Sequence, residues 1–233
     1  MTQILLKSLP LPLIIIDWSP LTDDQSQQLL RAALPVGGRT ITLYDEVHPD
    51  KKLGNRRVQH QFLLTLQQLL PAHVIPIVVA DSGFLAPFFR EVERLGWHWL
   101  GRIRNRDFIA FADCPGQWQA AKGLYAKATR KAKLLGPALW VRSNPLPGQR
   151  VSFYRPAKGR KQLTVHKQPA QSKQSRQQAK REKELWLLVV SQSLKAYSAI
   201  RVVNYYRVRM QIVDDLSWEP DGVTLQVRFC EGR

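Results

Sequence analysis

The sequence predicts an α/β fold built on a mixed sheet, and three observations predict it. Two short β-branched runs, LPLIIIDWS (11–19) and VIPIVVADSGF (74–84), each end on an aspartate, as central strands buried on both faces do. Segments of helical period follow or separate them. A Gly37-Gly38 pair flanked by strand-like residues adds an antiparallel hairpin.

Taken in order, the first run delivers Asp17 at or near the carboxyl end of its strand. In QQLLRAALPVGGRTITLYDEV, residues 27–34 have helical propensity, but the Gly-Gly pair and the alternation Thr40, Ile41, Thr42, Leu43 favour two strands. Val58, Phe62, Leu66, Leu69 and Leu70 keep helical spacing before Pro71, which predicts an amphipathic helix from Arg56 to Leu70. The second run ends on Asp81, and a helix through Phe84, Phe88, Val92 and Leu95 stops at Gly96. WHWLGRIRNR (97–106) reads as the next strand.

Residues 1–107 therefore read as the first part of the core, and residues 108–195 as a β-rich insertion. The latter has short β-prone pieces between Pro and Gly breaks and a polar, basic loop, QPAQSKQSRQQAKREKE. The strand ELWLLVVS and the segment SLKAYSAIRVVNYYRVRMQI follow. In that segment Ile200, Val203, Tyr206 and Met210 make a helical stripe, so 196–212 is the last core helix. Residues 213–233 lack an amphipathic period and read as a divergent, disordered tail.

The charge balance narrows the partner. Of 233 residues, 35 are Lys or Arg and 18 are Asp or Glu, a formal charge of +17, which favours a polyanion such as DNA. No apolar run approaches the roughly 20 residues that span a bilayer, and no signal-peptide pattern opens the chain. The expectation is a cytoplasmic protein without a membrane partner. Two cysteines, Cys114 and Cys230, lack metal-ligand spacing and read as free thiols; five histidines make no i, i+4 pair.

Two strand-end aspartates on neighbouring buried strands carry the chemistry. Close carboxylates resist joint ionisation unless a divalent cation neutralises them, and Mg²⁺ suits one or two carboxylates with phosphate oxygens completing its shell. A strand-end aspartate also serves simply to cap the next element. Arg102, Arg104 and Arg106 alternate, so on a strand they share one face, as phosphate contacts or as a solvated edge.

The blocks IIIDWSPL, ALPVGGRTITLYDEV, IVVADSGF, LGWHWLGRIRNR, LYAKATR, ELWLLVVS and NYYRVRMQI resemble, in order, those of the insertion sequence 4 family of DDE transposases, over about residues 11–212. The resemblance implies a ribonuclease-H-like domain with a β-rich insertion before its last helix, and DNA cleavage and strand transfer dependent on Mg²⁺ or Mn²⁺. It implies that Asp17 and Asp81 are the first two acids of a metal-binding triad. Tyr206 and Arg209 match the phosphate-holding half of the family's last-helix signature. Trp186 matches a tryptophan that stacks on a flipped base, and a buried strand aromatic is the other reading.

The signature then breaks. Val213 stands where the third acid belongs and Pro220 where a lysine belongs; Asp214 and Asp215 are rotated by about 100° and 200° on a helix. Only sixteen residues precede Asp17, where the family carries a domain that recognises transposon ends, so sequence-specific end binding is not expected. The expectations are thus a transposase with impaired catalysis or a non-catalytic DNA-binding remnant. Its partners are DNA and a second chain, either a copy of itself or an intact transposase.

Overall fold

The computed structural model describes residues 11–104, 107–154 and 185–209. Its first strand, β1 (Leu13–Pro20), forms an antiparallel pair with β2 (Gln27–Val36), which turns at Gly37-Gly38 into β3 (Arg39–Pro49). Gly37 and Gly38 have φ of 55° and 91°, a sign combination that makes a two-residue turn follow the strand twist, so residues 27–34 are strand rather than helix.

Helix α1 (Arg56–Leu69) starts where the Asn55 side chain accepts hydrogen bonds from the amides of Arg57 and Val58. It buries Phe62, Leu63 and Leu66. After β4 (Ile77–Ala80) comes α2 (Ala86–Arg94). That helix closes with the Gly96 amide on the Glu93 carbonyl and the Trp97 amide on the Val92 carbonyl, a Schellman end that needs Gly96 at φ 75°. β5 (His98–Ile103) follows, and β1, β4 and β5 run parallel.

β6 (Phe108–Phe111), β7 (Cys114–Ala120), β8 (Lys133–Trp140), β9 (Leu146–Phe153) and β10 (Trp186–Val190) continue the same sheet. Among the described residues its order is β3-β2-β1-β4-β5-β10-β9-β8-β6-β7. The last described element is α3 (Ala199–Val208), capped by the Ser198 hydroxyl, which accepts from the Arg201 amide. An antiparallel β3-β2-β1 edge beside parallel β4 and β5 is the ribonuclease-H-like arrangement, so the mixed α/β sheet is as expected.

The sheet is covered on both faces. Ile14, Ile16, Val78, Ala80 and Trp99 pack against α1 and α2 on one side. Gly101 permits this, because a Cβ there would stand 2.5 Å from the Phe89 ring. On the other side Ile77, Val79, Leu100, Leu188 and Val190 pack with Val202, Val203 and Tyr206 of α3. Ile200 is 51% exposed and not part of the expected stripe: capping at Ser198 turns residues 202, 203 and 206 toward the sheet. No helix of the described residues is long and apolar enough to cross a membrane.

Candidate active site

Strand alternation builds the site. Ile15 and Asp17 share one face of β1, and on β4 Ile77 and Val79 lie on that same face, with Asp81 following at the same parity. Ile16 is in register with Ala80, and Ala80 with Gly101. The next row across these parallel strands is therefore Asp17, Asp81 and Arg102, on the α3 side: Asp81 is the first residue past β4, whereas Asp17 does not end its strand as expected, because pairing with β2 carries β1 on to Pro20. The Gly83 amide donates to Asp81 Oδ1 at 2.6 Å, which orients that carboxylate where the chain leaves β4.

Arg209 enters from the end of α3. Its Nη1 lies 3.4 Å from Asp17 Oδ1, with 12% and 10% of the two side chains exposed. Burial pushes the Asp17 carboxyl up to about 7 and Asp81 adds to the rise; Arg209 and hydrogen bonds from the Trp18 amide and Ser19 oppose it. Burial works against the Arg209 charge, yet Tyr206, Asp17 and Asp81 together hold its guanidinium above the usual value. The row also extends the other way: Arg31 of β2 pairs in register with both Asp17 and Asp45 of β3, and its Nη2 is 3.6 Å from Asp45 Oδ2. Sequence reading gave neither Arg31 nor Asp45 a role.

Arg102 is 7% exposed and donates to the Leu185 carbonyl. Arg104 lies beyond the strand, which ends at Ile103 and not at Arg106. There the Arg104 amide donates to Asp107 Oδ2 at 2.8 Å and the Asp107 amide returns to the Arg104 carbonyl, so the chain turns and the alternation stops. Arg106 is outside the described residues, as are Val213, Asp214, Asp215, Pro220, Met210, Cys230 and the basic loop. Cys114 is a free, exposed thiol. Trp186 and Tyr206 are 5% and 1% exposed and meet edge to face at 4.9 Å, with Phe153, the cross-strand partner of Trp186 on β9, 5.9 Å from it.

The donor set can hold a hard cation. Two carboxylates stand side by side on adjacent strands, and one is so deeply placed that burial raises its proton affinity to near neutrality even with Arg209 beside it. Among the described residues no group of three or more His, Cys, Asp or Glu stands together. A cation here would thus depend on two carboxylates with water or phosphate oxygens.

Comparison with known proteins gives the family. The profile described as transposase DDE domain matches residues 9–212.

The chain belongs to the transposase DDE domain family.

None of the curated proteins compared matches this DDE-family chain. Among solved structures it is similar to the piggyBac transposase in its synaptic complex with hairpin DNA, seen by cryo-EM. The likeness has 12% identity and a TM-score of 0.47, and covers 88% of this chain and 39% of that one. The DDE-family chain thus spans well under half the length of that transposase.

Proposed function

We propose that this chain is a DDE transposase of the insertion sequence 4 type that acts on DNA by phosphoryl transfer, with catalysis impaired by Val213 in place of the third acid. The reading rests on one observation above the others: Asp17 and Asp81 stand side by side across the parallel strands β1 and β4, on the same face of the sheet, with Arg209 against Asp17. Family membership supports it, since DDE domains generally use a divalent metal.

In this proposal Asp17 and Asp81 hold Mg²⁺ or Mn²⁺. When bound, the cation offsets negative charge on a phosphate and favours the deprotonated state of an attacking oxygen. The chain's own residues do the rest. Asp17, with its proton affinity near neutrality, is poised to give up that proton when positive charge arrives. Arg209 and Arg102 flank the carboxylates with fixed positive charge that attracts and orients a phosphate. Tyr206, packed on Trp186, holds the end of α3 so that Arg209 reaches the acids; base stacking by Trp186 requires the ring to leave this packing.

A second reading, a DNA-binding protein without cleavage that acts alone or with a second chain, is favoured by the Arg209 to Asp17 contact. That pairing already neutralises part of the acidic site with an internal cation. The test is a nicking assay on hairpin DNA with and without Mg²⁺, comparing the parent, Val213→Glu and Val213→Glu with Asp17→Asn. The first reading expects slow Mg²⁺-dependent nicking, raised at least a hundredfold by Val213→Glu and abolished by the added Asp17→Asn. Salt-sensitive DNA binding with no nicking in any variant favours the second and overturns the first.

A further inference from the structure

The outer flank of α3 carries a second arrangement that the acidic site does not use. Arg201 and Tyr205 of α3 and Arg209 at its C-cap follow at four-residue spacing, so they form one ridge that drifts about 40° round the helix at each step, and Tyr197 stands just before the Ser198 cap. The ridge ends against Asp17. Arg201 is held in place. The Arg201 guanidinium carbon lies 3.9 Å from the Tyr197 ring centre and 5.5 Å from that of Tyr205, and Nε donates to the Tyr205 hydroxyl at 3.0 Å. The two rings stand 6.0 Å apart at 72°.

Arg201 is nevertheless exposed, and among the described residues its two terminal nitrogens have no partner. No acidic residue lies within α3. An arginine on a surface normally samples many rotamers, which ordering must overcome on binding; here two aromatic rings and a hydroxyl have fixed the fork beforehand. What remains open is the bidentate edge that matches a phosphate.

We infer that Tyr197, Arg201 and Tyr205 form a phosphate clamp that holds the backbone of a DNA strand on its approach to Asp17 and Asp81. The inference deepens the proposed function and rests on its DNA-acting reading. Eight residues separate Arg201 from Arg209, about 12 Å along a helix, a span that a few nucleotides of one strand can bridge. The clamp thus engages a strand a few nucleotides from the acidic site. It reads charge and not sequence, in keeping with the formal charge of +17. A carboxylate-bearing protein partner offers the same fork geometry, but not a continuous line of anions running on to Arg209.

The test is fluorescence anisotropy of the full chain with a labelled duplex of random sequence, across a series of salt concentrations. Arg201→Gln is expected to weaken binding about tenfold for every sequence and to reduce the salt slope by about 0.9, with an unchanged unfolding midpoint. Arg201→Lys should keep the slope and lose only part of the affinity. Arg57→Gln, on α1 across the sheet, should change neither. If the parent binds duplex with no salt dependence, the DNA-acting reading and the clamp both fall. If the parent binds and Arg201→Gln matches it in affinity and slope, the clamp alone is overturned.

Discussion

Arg209 approaches Asp17 to 3.4 Å although the two sit 192 positions apart in the chain, on elements that meet only when α3 closes over the sheet. The pair joins the last described helix to the first strand, and it decides how the acidic end of the sheet behaves with pH.

Asp17 makes folding pH-dependent in an unusual direction for an aspartate. Its folded value of about 7 lies above the ordinary 3.8, so the native state is favoured most below pH 4 and loses that advantage as pH rises through 7. Relative to the parent, Asp17→Asn should therefore gain stability as pH rises from about 4 to 7, by on the order of 2–4 kcal/mol in all, and gain no more above pH 8. Urea unfolding at a series of pH values checks this; parallel curves for the two proteins would contradict it.

Removing the positive partner should act in the same window. Arg209→Gln leaves the buried Asp17 carboxyl without its counter-ion, which is tolerable while the carboxyl is protonated and costly once it ionises. Its destabilisation should be small near pH 5 and grow above pH 7 toward the roughly 3–5 kcal/mol seen when a buried pair is broken. A pH-independent loss would mean that Arg209 acts by packing alone.

Trp186 separates a structural from a DNA-contacting role. Packed against Phe153 and Tyr206 at 5% exposure, it should cost about 3–5 kcal/mol as Trp186→Ala, and Trp186→Phe should recover much of that. Denaturation of both variants measures it. An unchanged midpoint for Trp186→Ala together with weaker binding to hairpin DNA would instead assign the ring to base stacking.

The proton on Asp17 gives a calorimetric signature for cation binding. At pH 6.5 a divalent cation should displace roughly three-quarters of a proton, and at pH 8.5 almost none, because the carboxyl is then already ionised. Titration in two buffers of different ionisation enthalpy reads the number released. Equal release at both pH values would remove Asp17 from the site.

Much of this site was legible in the sequence because strand chemistry is local. An apolar run ending on an acid located the buried strands that carry Asp17 and Asp81 and the end of β4, but not that of β1, which pairing with β2 extends past Asp17 to Pro20; Gly37-Gly38 gave the hairpin. The Arg31 and Asp45 pair was not legible. Counting out from the turn sets Tyr44 opposite Arg31, but a bulge leaves Leu43 unpaired and moves Asp45 into that place. Arg104 was misjudged because a side chain, Asp107, ends the strand where local propensity continued it. Ile200 was misjudged because the stripe was counted without fixing the cap at Ser198, and one shifted residue turns a helix by 100°.

The central claim is that Asp17 and Asp81 jointly hold one divalent cation, and Mn²⁺ binding followed by electron paramagnetic resonance at pH 8 tests it most directly. The parent should bind Mn²⁺ saturably, Mg²⁺ should compete, and Asp17→Asn and Asp81→Asn should each weaken that binding at least tenfold. Retention of the parent affinity by either variant would contradict the claim.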